Sequence, residues 1–520
     1  MSALTGARLP ATRLVERLLD ALDDPARRER NAAVVLIAYV ALWTLYAAIA
    51  KGSQDIHADM SEQFVLAHEL AFGYPKHPPL TMLVVRAWFA AFPAADWAYY
   101  LLAMANAALA LWISWRLSAR FLTGDKRVLG LTLLTLIPFF NFHALKFNSN
   151  TVLMPLWAGT TLYFLRSFET RRVRDAALAG LWAAAAMYGK YWSVVLLLGL
   201  ATAALVHPGR ADYFRSRAPW ITMIVGGIAI APHLIWLIAN GFAPFSYAVA
   251  VHGQASVASA LADSVDYLVG SIAYVCVPLL VVFAIARPTG KALADMAWPG
   301  AAERRLAAAA FWATLVLPAL LAPLLAVRLT SLWSMSAWTL LPVMLLSSPL
   351  ISVRRADAVR IVAIAVAFPL VMLALSPAIG LVMHEVRSGS EAHSSLLAGP
   401  VERLWRDTTD APLQLFSSAA ILVDGVPFYL HDHPNSIHVL ERAATAQEDA
   451  LIAKEGVALL CPMSAPSCLA AAEACAGRSS LSKRREVEVS RRYLGIAATA
   501  ARYLIVAIPP AASGLTFIDR

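Results

Sequence analysis

The chain has 520 residues, of which 59% are hydrophobic and 15% are charged, whereas soluble domains are about half apolar and about a quarter charged. This composition excludes an ordinary soluble globular protein and predicts a helical membrane protein. The formal net charge of +9 does not indicate a nucleic-acid partner, because the basic residues cluster in short segments between apolar runs, as they do in cytoplasmic loops.

The N-terminal segment, residues 1–31, contains six arginines, from Arg8 to Arg30. It lacks the compact apolar core and small-residue cleavage site of a secretory signal peptide. We interpret this segment as a cytoplasmic amphipathic helix on anionic lipid, and a plainly solvated helix is the alternative.

The central part of the chain, residues 32–384, contains about eleven apolar runs of a length that can span a membrane. They cover residues 32–50, 96–115, 128–142, 150–166, 175–188, 191–206, 218–239, 266–286, 306–326, 331–350 and 357–382. A further run, 79–92, is predicted to lie at the interface within the first outer loop, 51–95. We treat 175–206 as two spans, with one long helix as the alternative. The sequence therefore predicts an all-α polytopic membrane domain.

The distribution of basic residues predicts the orientation of these spans. With residue 1 in the cytoplasm, the inner segments contain 24 lysines and arginines, and the outer segments before residue 386 contain six. Cytoplasmic loops are enriched in basic residues. The N-terminus is therefore predicted in the cytoplasm, and everything after the last span in the periplasm of a bacterial inner membrane.

The C-terminal part, residues 385–520, is predicted to be a small periplasmic α/β domain. Its apolar runs have the length of strands, at Ala420–Val423, Val457–Leu460 and Tyr503–Ile508. Three cysteines in this domain can form one disulfide in an oxidising compartment, and their spacing does not decide which two pair. They are Cys461, Cys468 and Cys475.

The sequence His431-Asp432-His433 contains residue types that bind metals, but Pro434 follows it directly. A turn after a strand is the better interpretation. No histidine stands at zinc-ligand spacing from the cysteines. We therefore predict no metal and no cofactor, although a divalent metal remains open.

Acidic residues concentrate at the start of the first outer loop, where Asp55, Asp59 and Glu62 are spaced i, i+4 and i+7. On a helix this spacing places all three carboxylates on one face. Carboxylates at a membrane boundary are candidates for function, and a solvated helix face is the alternative interpretation.

The same loop ends in Lys76-His77-Pro78-Pro79, after Gly73-Tyr74. The spacing from Asp59 to this ending resembles the first periplasmic loop of the protein O-mannosyltransferase and aminoarabinose-transferase superfamily, which has the GT-C architecture. The resemblance places Asp59 on the essential aspartate of that superfamily. Met60 stands where a glutamate is usual and Lys76 where an aspartate is usual, so the role of an acidic pair is in doubt.

Later stretches resemble further motifs of the same superfamily in order and spacing. They are Lys146–Trp157, Gly189-Lys190-Tyr191, Trp236 with Asn240-Gly241-Phe242, Phe245 with His252-Gly253, and Trp333–Trp338. The asparagine-rich motif Lys146–Trp157 and the lysine at position 76 are similar to the rhizobial transferases that place galacturonic acid on lipopolysaccharide. The resemblance covers roughly residues 32–350.

This resemblance implies a glycosyltransferase that takes a sugar from a polyprenyl-phosphate carrier. The acceptor would be lipid A, lipopolysaccharide or another envelope molecule, and the transfer would invert the anomeric centre. Asp59 would act as the general base on the acceptor hydroxyl. A membrane transporter or lipid flippase is the alternative, although no inverted repeat of the kind found in transporters is visible.

Basic residues at the outer ends of spans run against the usual charge bias, and they suit a phosphate leaving group. Snorkelling toward lipid headgroups is the alternative for each of them, and packing is the alternative for His252. The predicted substrate-binding residues are Asp55, Glu62, Lys76, His77, Lys146, Asn148, Asn150, Lys190, His252 and Arg328. The predicted partners are the polyprenyl-phosphate-linked donor, a lipid or glycan acceptor and membrane lipids, bound by a monomer.

Overall fold

The structure, a computed structural model, describes residues 10–254, 256–384 and 393–511. Arg8 lies outside these ranges, and so do the residues that directly follow the predicted domain boundary at 384. By internal contacts the chain divides into two compact units. Unit 1 comprises residues 1–44, 71–81 and 101–373, and unit 2 comprises residues 45–70, 82–100 and 374–520.

Most of the described residues before residue 384 are helical. The helices are α1 Pro10–Asp23, α2 Arg28–Ala50, α3 Ala58–Leu66, α4 Leu80–Phe89, α5 Asp96–Ser118, α6 Gly124–Thr135, α7 Leu153–Thr170, α8 Val173–Gly189, α9 Val194–Val206, α10 Arg210–Arg215, α11 Ala218–Ala239, α12 Ala243–His252, α13 Val257–Tyr274, α14 Cys276–Ala286, α15 Gly290–Ala297, α16 Ala302–Leu325, α17 Leu341–Leu346 and α18 Arg355–Met383. Three segments form 3₁₀-helices, Pro138–Phe140, Tyr191–Ser193 and Ser331–Leu340.

The later described residues alternate helices and strands. The helices are α19 Ser394–Arg406, α20 Leu422–Tyr429, α21 Ala446–Glu455 and α22 Pro466–Ala476. The strands are β1 Leu415–Ser418, β2 Asn435–Ser436, β3 Val457–Pro462, β4 Lys483–Val489, β5 Arg492–Tyr493, β6 Ile496–Ala497 and β7 Ala501–Ile508. The predicted fold class, a helical part with a small α/β part, is confirmed, and the predicted domain bounds stay a prediction.

Among the described residues, five helices are long and apolar enough to cross a membrane, namely α2, α5, α11, α16 and α18. The pair α13 and α14 would make a sixth span that bends by 56°. The other predicted spans coincide with shorter helices, so the count of eleven crossings stays a prediction. Two of them are interrupted: α6 ends before Pro138, and the predicted span 331–350 begins as the 3₁₀-helix Ser331–Leu340.

The segment 175–206 forms two helices, α8 and α9, which confirms the predicted split. Lys190 between them is extended, with φ −166° and ψ 141°, and a short 3₁₀-turn follows. Helix α8 packs closely on α11, because a Cβ atom on Gly180 would lie 2.5 Å from the Thr222 carbonyl oxygen. These two helices fix the position at which Lys190 leaves the bundle.

Helix α1 is amphipathic, as predicted, and its apolar face packs within the protein. Val15, Leu19 and Leu22 are buried, and α1 contacts α6. Arg355 near the start of α18 makes ion pairs with Asp20 of α1 and Asp125 of α6. The part of α1 that could lie on lipid is therefore limited to its other faces.

Unit 2 contains a five-stranded mixed sheet in the order β2-β1-β3-β7-β4. Strand β1 pairs in parallel with β2 and β3, and β7 pairs antiparallel with β3 and β4. Helices α19 and α20 cover one face of the sheet and α21 and α22 cover the other. Strand β3 is apolar along its length because both of its faces are buried.

Two of the three predicted strand runs are strands, β3 and β7, and the third prediction is wrong. Ala420 has a left-handed φ of 50° and Leu422 begins helix α20, while the strand lies earlier, at β1. Short apolar runs do not distinguish strand from buried helix.

A disulfide between Cys461 and Cys468 links strand β3 to helix α22, and Cys475 is a free thiol.

Candidate functional site

Lys190 occupies the break between α8 and the following 3₁₀-turn. Its Nζ donates a 2.6 Å hydrogen bond to Oδ1 of Asn150 and lies 5.1 Å from the centre of the Trp333 ring. The side chain is half-buried. A cation held by an amide on one side and an aromatic face on the other is positioned without being neutralised by these two groups.

His252 lies by the same tryptophan, and the backbone of Arg328 is hydrogen-bonded to that of His252. The His252 and Trp333 ring centres are 5.1 Å apart in an edge-on arrangement. Helix α16 ends at Ala326 with a left-handed φ of 48°, and the chain returns so that the Arg328 N–H donates to the His252 carbonyl at 2.8 Å. Burial, followed by the charges of Lys190 and Arg328, lowers the pKa of His252.

We call Lys190 and His252, which lie by Trp333, together with Arg328, which lies by His252, the cation cluster. The cluster thus combines a lysine and an arginine with an imidazole that can donate or accept a hydrogen bond. Such a group suits the binding of an anion.

The segment that carries Lys76 and His77 is held by α11. The Nδ1–H of His233 donates a 2.5 Å hydrogen bond to the Phe72 carbonyl. A Cβ on Gly73 would lie 2.3 Å from the Trp236 ring, so only glycine fits against that ring. The loop then turns back, with the Tyr74 N–H donating to the His77 carbonyl at 2.9 Å.

Lys76 lies against helix α12, which also carries His252 at its C-terminal end. The Lys76 Nζ is 5.7 Å from the centre of the Tyr247 ring. Tyr247 and His252 are separated by about 7 Å along the helix axis at 1.5 Å per residue. Helix α12 therefore has Lys76 beside its middle and the cation cluster beside its end.

The predicted asparagines have different surroundings. Asn148 is buried, and its Oδ1 accepts the N–H groups of Asn150 and Thr151 at 2.9 and 3.1 Å, which shapes the turn before α7. Asn150 holds Lys190, as described above. Lys146 precedes this turn and is half-buried, and its carbonyl accepts the Thr151 hydroxyl at 3.1 Å.

Unit 2 carries the predicted base on helix α3. The helix begins after His57, whose Nδ1 accepts the Asp59 N–H at 3.1 Å. Asp59 lies in the first turn, where the helix dipole stabilises a negative charge, and its side chain is 40% exposed. Glu62 follows one turn later and is half-buried. Met60, at the position of the usual glutamate, is buried and packs in the core.

The prediction that Asp55 shares a helix face with Asp59 and Glu62 is wrong. The helix starts only at Ala58, and Asp55 lies in the extended segment before it. Its side chain is 4% exposed and makes a 2.9 Å ion pair with Arg491. The i, i+4, i+7 spacing of the acidic residues does not describe one helix face, because His57 caps the helix after Asp55.

Three residues near the cation cluster and the Lys76 segment were not among the site residues predicted from the sequence. Trp333 is the centre of the cation cluster, Tyr247 faces Lys76, and His233 holds the Lys76 segment. Only His233 carries a direct signal, as a polar residue inside an otherwise apolar run. The other two are aromatic residues in apolar surroundings, where packing is the commoner role.

In the parts of the chain that the structure describes, no three histidine, cysteine, aspartate or glutamate residues are grouped so that they could hold a metal ion. His431, Asp432 and His433 lie in a turn after α20 rather than after a strand. Asp432 accepts the Leu413 N–H at 3.0 Å. Its side chain therefore fixes the entry to β1.

Comparisons with known proteins place this geometry in context. Residues 76–236 match the family model described as dolichyl-phosphate-mannose-protein mannosyltransferase. The fold is similar to that of ArnT from Cupriavidus metallidurans bound to undecaprenyl phosphate, with a TM-score of 0.61 and 12% identity over 91% of this chain and 97% of that one. The apo state of ArnT gives a TM-score of 0.60 and 13% identity at the same coverage. No curated protein shows significant similarity to the chain in sequence.

The chain is therefore similar to the mannosyltransferase family over residues 76–236, and it has the fold of ArnT. The predicted resemblance to the protein O-mannosyltransferase and aminoarabinose-transferase superfamily is confirmed. The matched residues include the Lys76 segment, the asparagine turn and Lys190. These findings favour an enzyme over the transporter or flippase.

Proposed function

We propose that the chain transfers a sugar from a polyprenyl-phosphate donor to lipid A, lipopolysaccharide or another envelope acceptor, on the periplasmic face of a bacterial inner membrane. The observation that carries this proposal is the cation cluster, set at helix ends in a protein with the fold of ArnT. One ArnT structure contains undecaprenyl phosphate, the phosphate that remains after such a transfer. The donor class of this chain follows by analogy.

The cation cluster supplies the charge that the leaving group requires. When the bond between the anomeric carbon and the phosphate oxygen breaks, its electron pair stays on the phosphate. Lys190 and Arg328 would stabilise that developing charge, and Lys76 beside Tyr247 would add a third cation. Because these groups already provide positive charge, we propose that the reaction needs no divalent metal.

Asp59 is the proposed general base. The acceptor hydroxyl attacks the anomeric carbon from the face opposite the phosphate, its proton passes to the Asp59 carboxylate, and the configuration inverts. A single displacement needs one base, so the loss of the usual neighbouring glutamate at Met60 does not prevent it. The partly exposed carboxylate in the first turn of α3 suits this role.

The disulfide supports the proposed orientation of the C-terminal region. Cys461 and Cys468 are bonded, and disulfides persist in the periplasm but are rare in the bacterial cytoplasm. The distribution of basic residues leads independently to the same side. We therefore place the α/β region in the periplasm and the N-terminus in the cytoplasm, in a monomer surrounded by membrane lipids.

The donor site is tested by binding of undecaprenyl phosphate to the purified chain, measured for Lys190→Met and for the control Lys291→Met. Lys291 is exposed on α15 and is not part of the cation cluster. Hydrogen bonds to charged groups contribute about 1.5–3 kcal/mol, so we expect Lys190→Met to weaken binding roughly 10- to 100-fold. The control should bind normally.

Equal binding by both variants would contradict the phosphate site and favour snorkelling of Lys190 toward lipid. The transfer itself is tested by mass spectrometry of envelope lipids and glycans from cells with and without the gene. A sugar lost from one glycan or lipid identifies donor and acceptor together. The same transfer measured in EDTA tests the metal-independent reaction.

A further inference from the structure

The segment before helix α3 is attached to residues more than three hundred positions later in the chain. The Tyr493 hydroxyl donates to the Ile49 carbonyl at 3.0 Å. Gln54 donates from Nε2 to the Met383 carbonyl at 3.2 Å. All of these residues belong to unit 2.

The strongest attachment is at Asp55. Its carboxylate accepts the Ser394 N–H at 2.7 Å, and also the N–H and hydroxyl of Ser395 at 3.3 and 2.5 Å. Arg491 completes the set with a 2.9 Å ion pair, and its side chain is only 9% exposed. We call these four residues the Asp55 anchor.

The next residue extends the attachment toward the helix. The Tyr429 hydroxyl accepts the Ile56 N–H at 2.9 Å. Helix α3 starts two residues later and packs on α20, with the Phe64 and Phe428 rings 4.9 Å apart and edge-on. From Ile49 to Phe64, the chain therefore runs along a surface that the C-terminal region provides.

We propose that the C-terminal α/β region positions the helix that carries Asp59, with Arg491 as the positioning residue acting through Asp55. This inference rests on the proposed role of Asp59 as the base. Asp55 lies four residues before Asp59, and a buried carboxylate with this many donors has one favourable position. The residues from Asp55 to the His57 cap then fix the direction in which α3 starts.

A positioning role is distinct from a merely structural one in its effect on catalysis. Displacement of a catalytic group by about 1 Å can cost as much as 100-fold in rate, while donor binding elsewhere is unaffected. Loss of the Arg491 charge should therefore lower kcat and leave the donor KM in place. A purely structural residue would lower the amount of folded protein and not the kcat of what remains.

The experiment compares Arg491→Gln, Arg491→Lys and the control Arg492→Gln in the full-length chain. Arg492 is the exposed neighbour of Arg491. Two quantities are measured, the steady-state kcat and donor KM, and the hydrogen exchange of peptides covering residues 53–66. For Arg491→Gln we expect at least a tenfold lower kcat, a donor KM within about twofold, and faster exchange of 53–66 only.

Arg491→Lys keeps the charge and should recover part of the kcat, and Arg492→Gln should match the unaltered chain. Unchanged exchange and kcat in Arg491→Gln would overturn the proposal, and so would faster exchange with a normal kcat. If Arg491→Gln also exposes β3 and β7, Ser395→Ala decides instead, since it removes one hydrogen bond to Asp55. Ser395→Ala with normal exchange of 53–66 and normal kcat would overturn the proposal.

The same two measurements distinguish a wrong assignment of Asp59 as the base from a wrong assignment of Arg491 as the positioning residue. If Asp59→Asn retains its transfer activity, the assignment of the base fails. The exchange of residues 53–66 in Arg491→Gln still decides whether the C-terminal region holds this segment. The two failures therefore give different results.

Discussion

The cation cluster of unit 1 and the Asp55 anchor of unit 2 both consist of charged side chains taken from distant parts of the sequence, but they differ in how those charges are satisfied. Lys190 is half-buried between an amide and an aromatic ring, and Arg328 is exposed. Asp55 is buried and accepts several hydrogen bonds in addition to its ion pair with Arg491.

This difference separates groups that can receive a ligand from groups that hold the protein together. A buried ion pair with further hydrogen bonds gains little from an added ligand, and loss of one partner leaves an uncompensated charge. Arg328 is exposed, so its charge is accessible to an anion. Of the predicted site residues in the first loop, the catalytic candidate Asp59 is partly exposed and the substrate-binding candidate Asp55 is enclosed.

The largest expected effect is on transfer, and it comes from replacing Asp59, the accessible one of these two carboxylates. Asp59→Asn keeps the shape of the side chain but cannot take a proton, and general-base catalysis contributes about 10²- to 10⁴-fold. We expect transfer to fall by at least about 100-fold, with normal membrane insertion and near-normal binding of undecaprenyl phosphate. Glu62→Gln is the matched control and should lose less, as measured by steady-state kinetics on purified protein. A larger loss in Glu62→Gln would move the base to that residue.

A smaller effect is expected from the aromatic centre of the cation cluster. Trp333→Leu removes the ring face near Lys190 and His252 while retaining apolar bulk. A cation–π contact contributes about 0.5–2 kcal/mol, so we expect undecaprenyl phosphate to bind roughly 2- to 30-fold more weakly. Trp312→Leu, on α16, is the control and should bind normally. Normal binding by Trp333→Leu would remove the ring from the donor site.

The smallest effect is expected at the edge of the anchored segment. Tyr493→Phe keeps the ring and removes only the hydroxyl that donates to the Ile49 carbonyl. One such hydrogen bond contributes about 1 kcal/mol, so thermal unfolding should shift by a few degrees and kcat by less than about threefold. Loss of kcat comparable to that of Arg491→Gln would show that the attachment depends on Ile49 rather than on Asp55.

Hydrophobic runs predicted the helical part of the fold well, because a run long enough for a helix has few other structures in a membrane. The predicted span 218–239 is α11 to the residue, and 175–206 is split where predicted. Interruptions were harder, since Pro138 and the 3₁₀-helix Ser331–Leu340 lie inside predicted spans that contain no acidic or basic residue near the break. Apolarity alone does not show where the hydrogen-bonding pattern changes.

The candidate site was predictable where it consists of charged residues at the ends of spans, as with Lys190 and Arg328. Asp55 was misplaced because its partners lie far away, with Ser394 separated by 339 residues. A periodic spacing describes one helix and says nothing about a contact over that distance. The same limit hid Trp333, whose role depends on the return of the chain after α16.

The distance along the chain between Ile49 and Tyr493, 444 residues, has a consequence for biosynthesis. At a translation rate of about 5–20 residues per second, the early segment leaves the ribosome roughly 20 to 90 seconds before the residue that holds it. During that interval the nascent chain has its first loop without its scaffold. A product truncated before Arg491 would insert its helices and still lack Arg491 and Tyr493, which hold that loop.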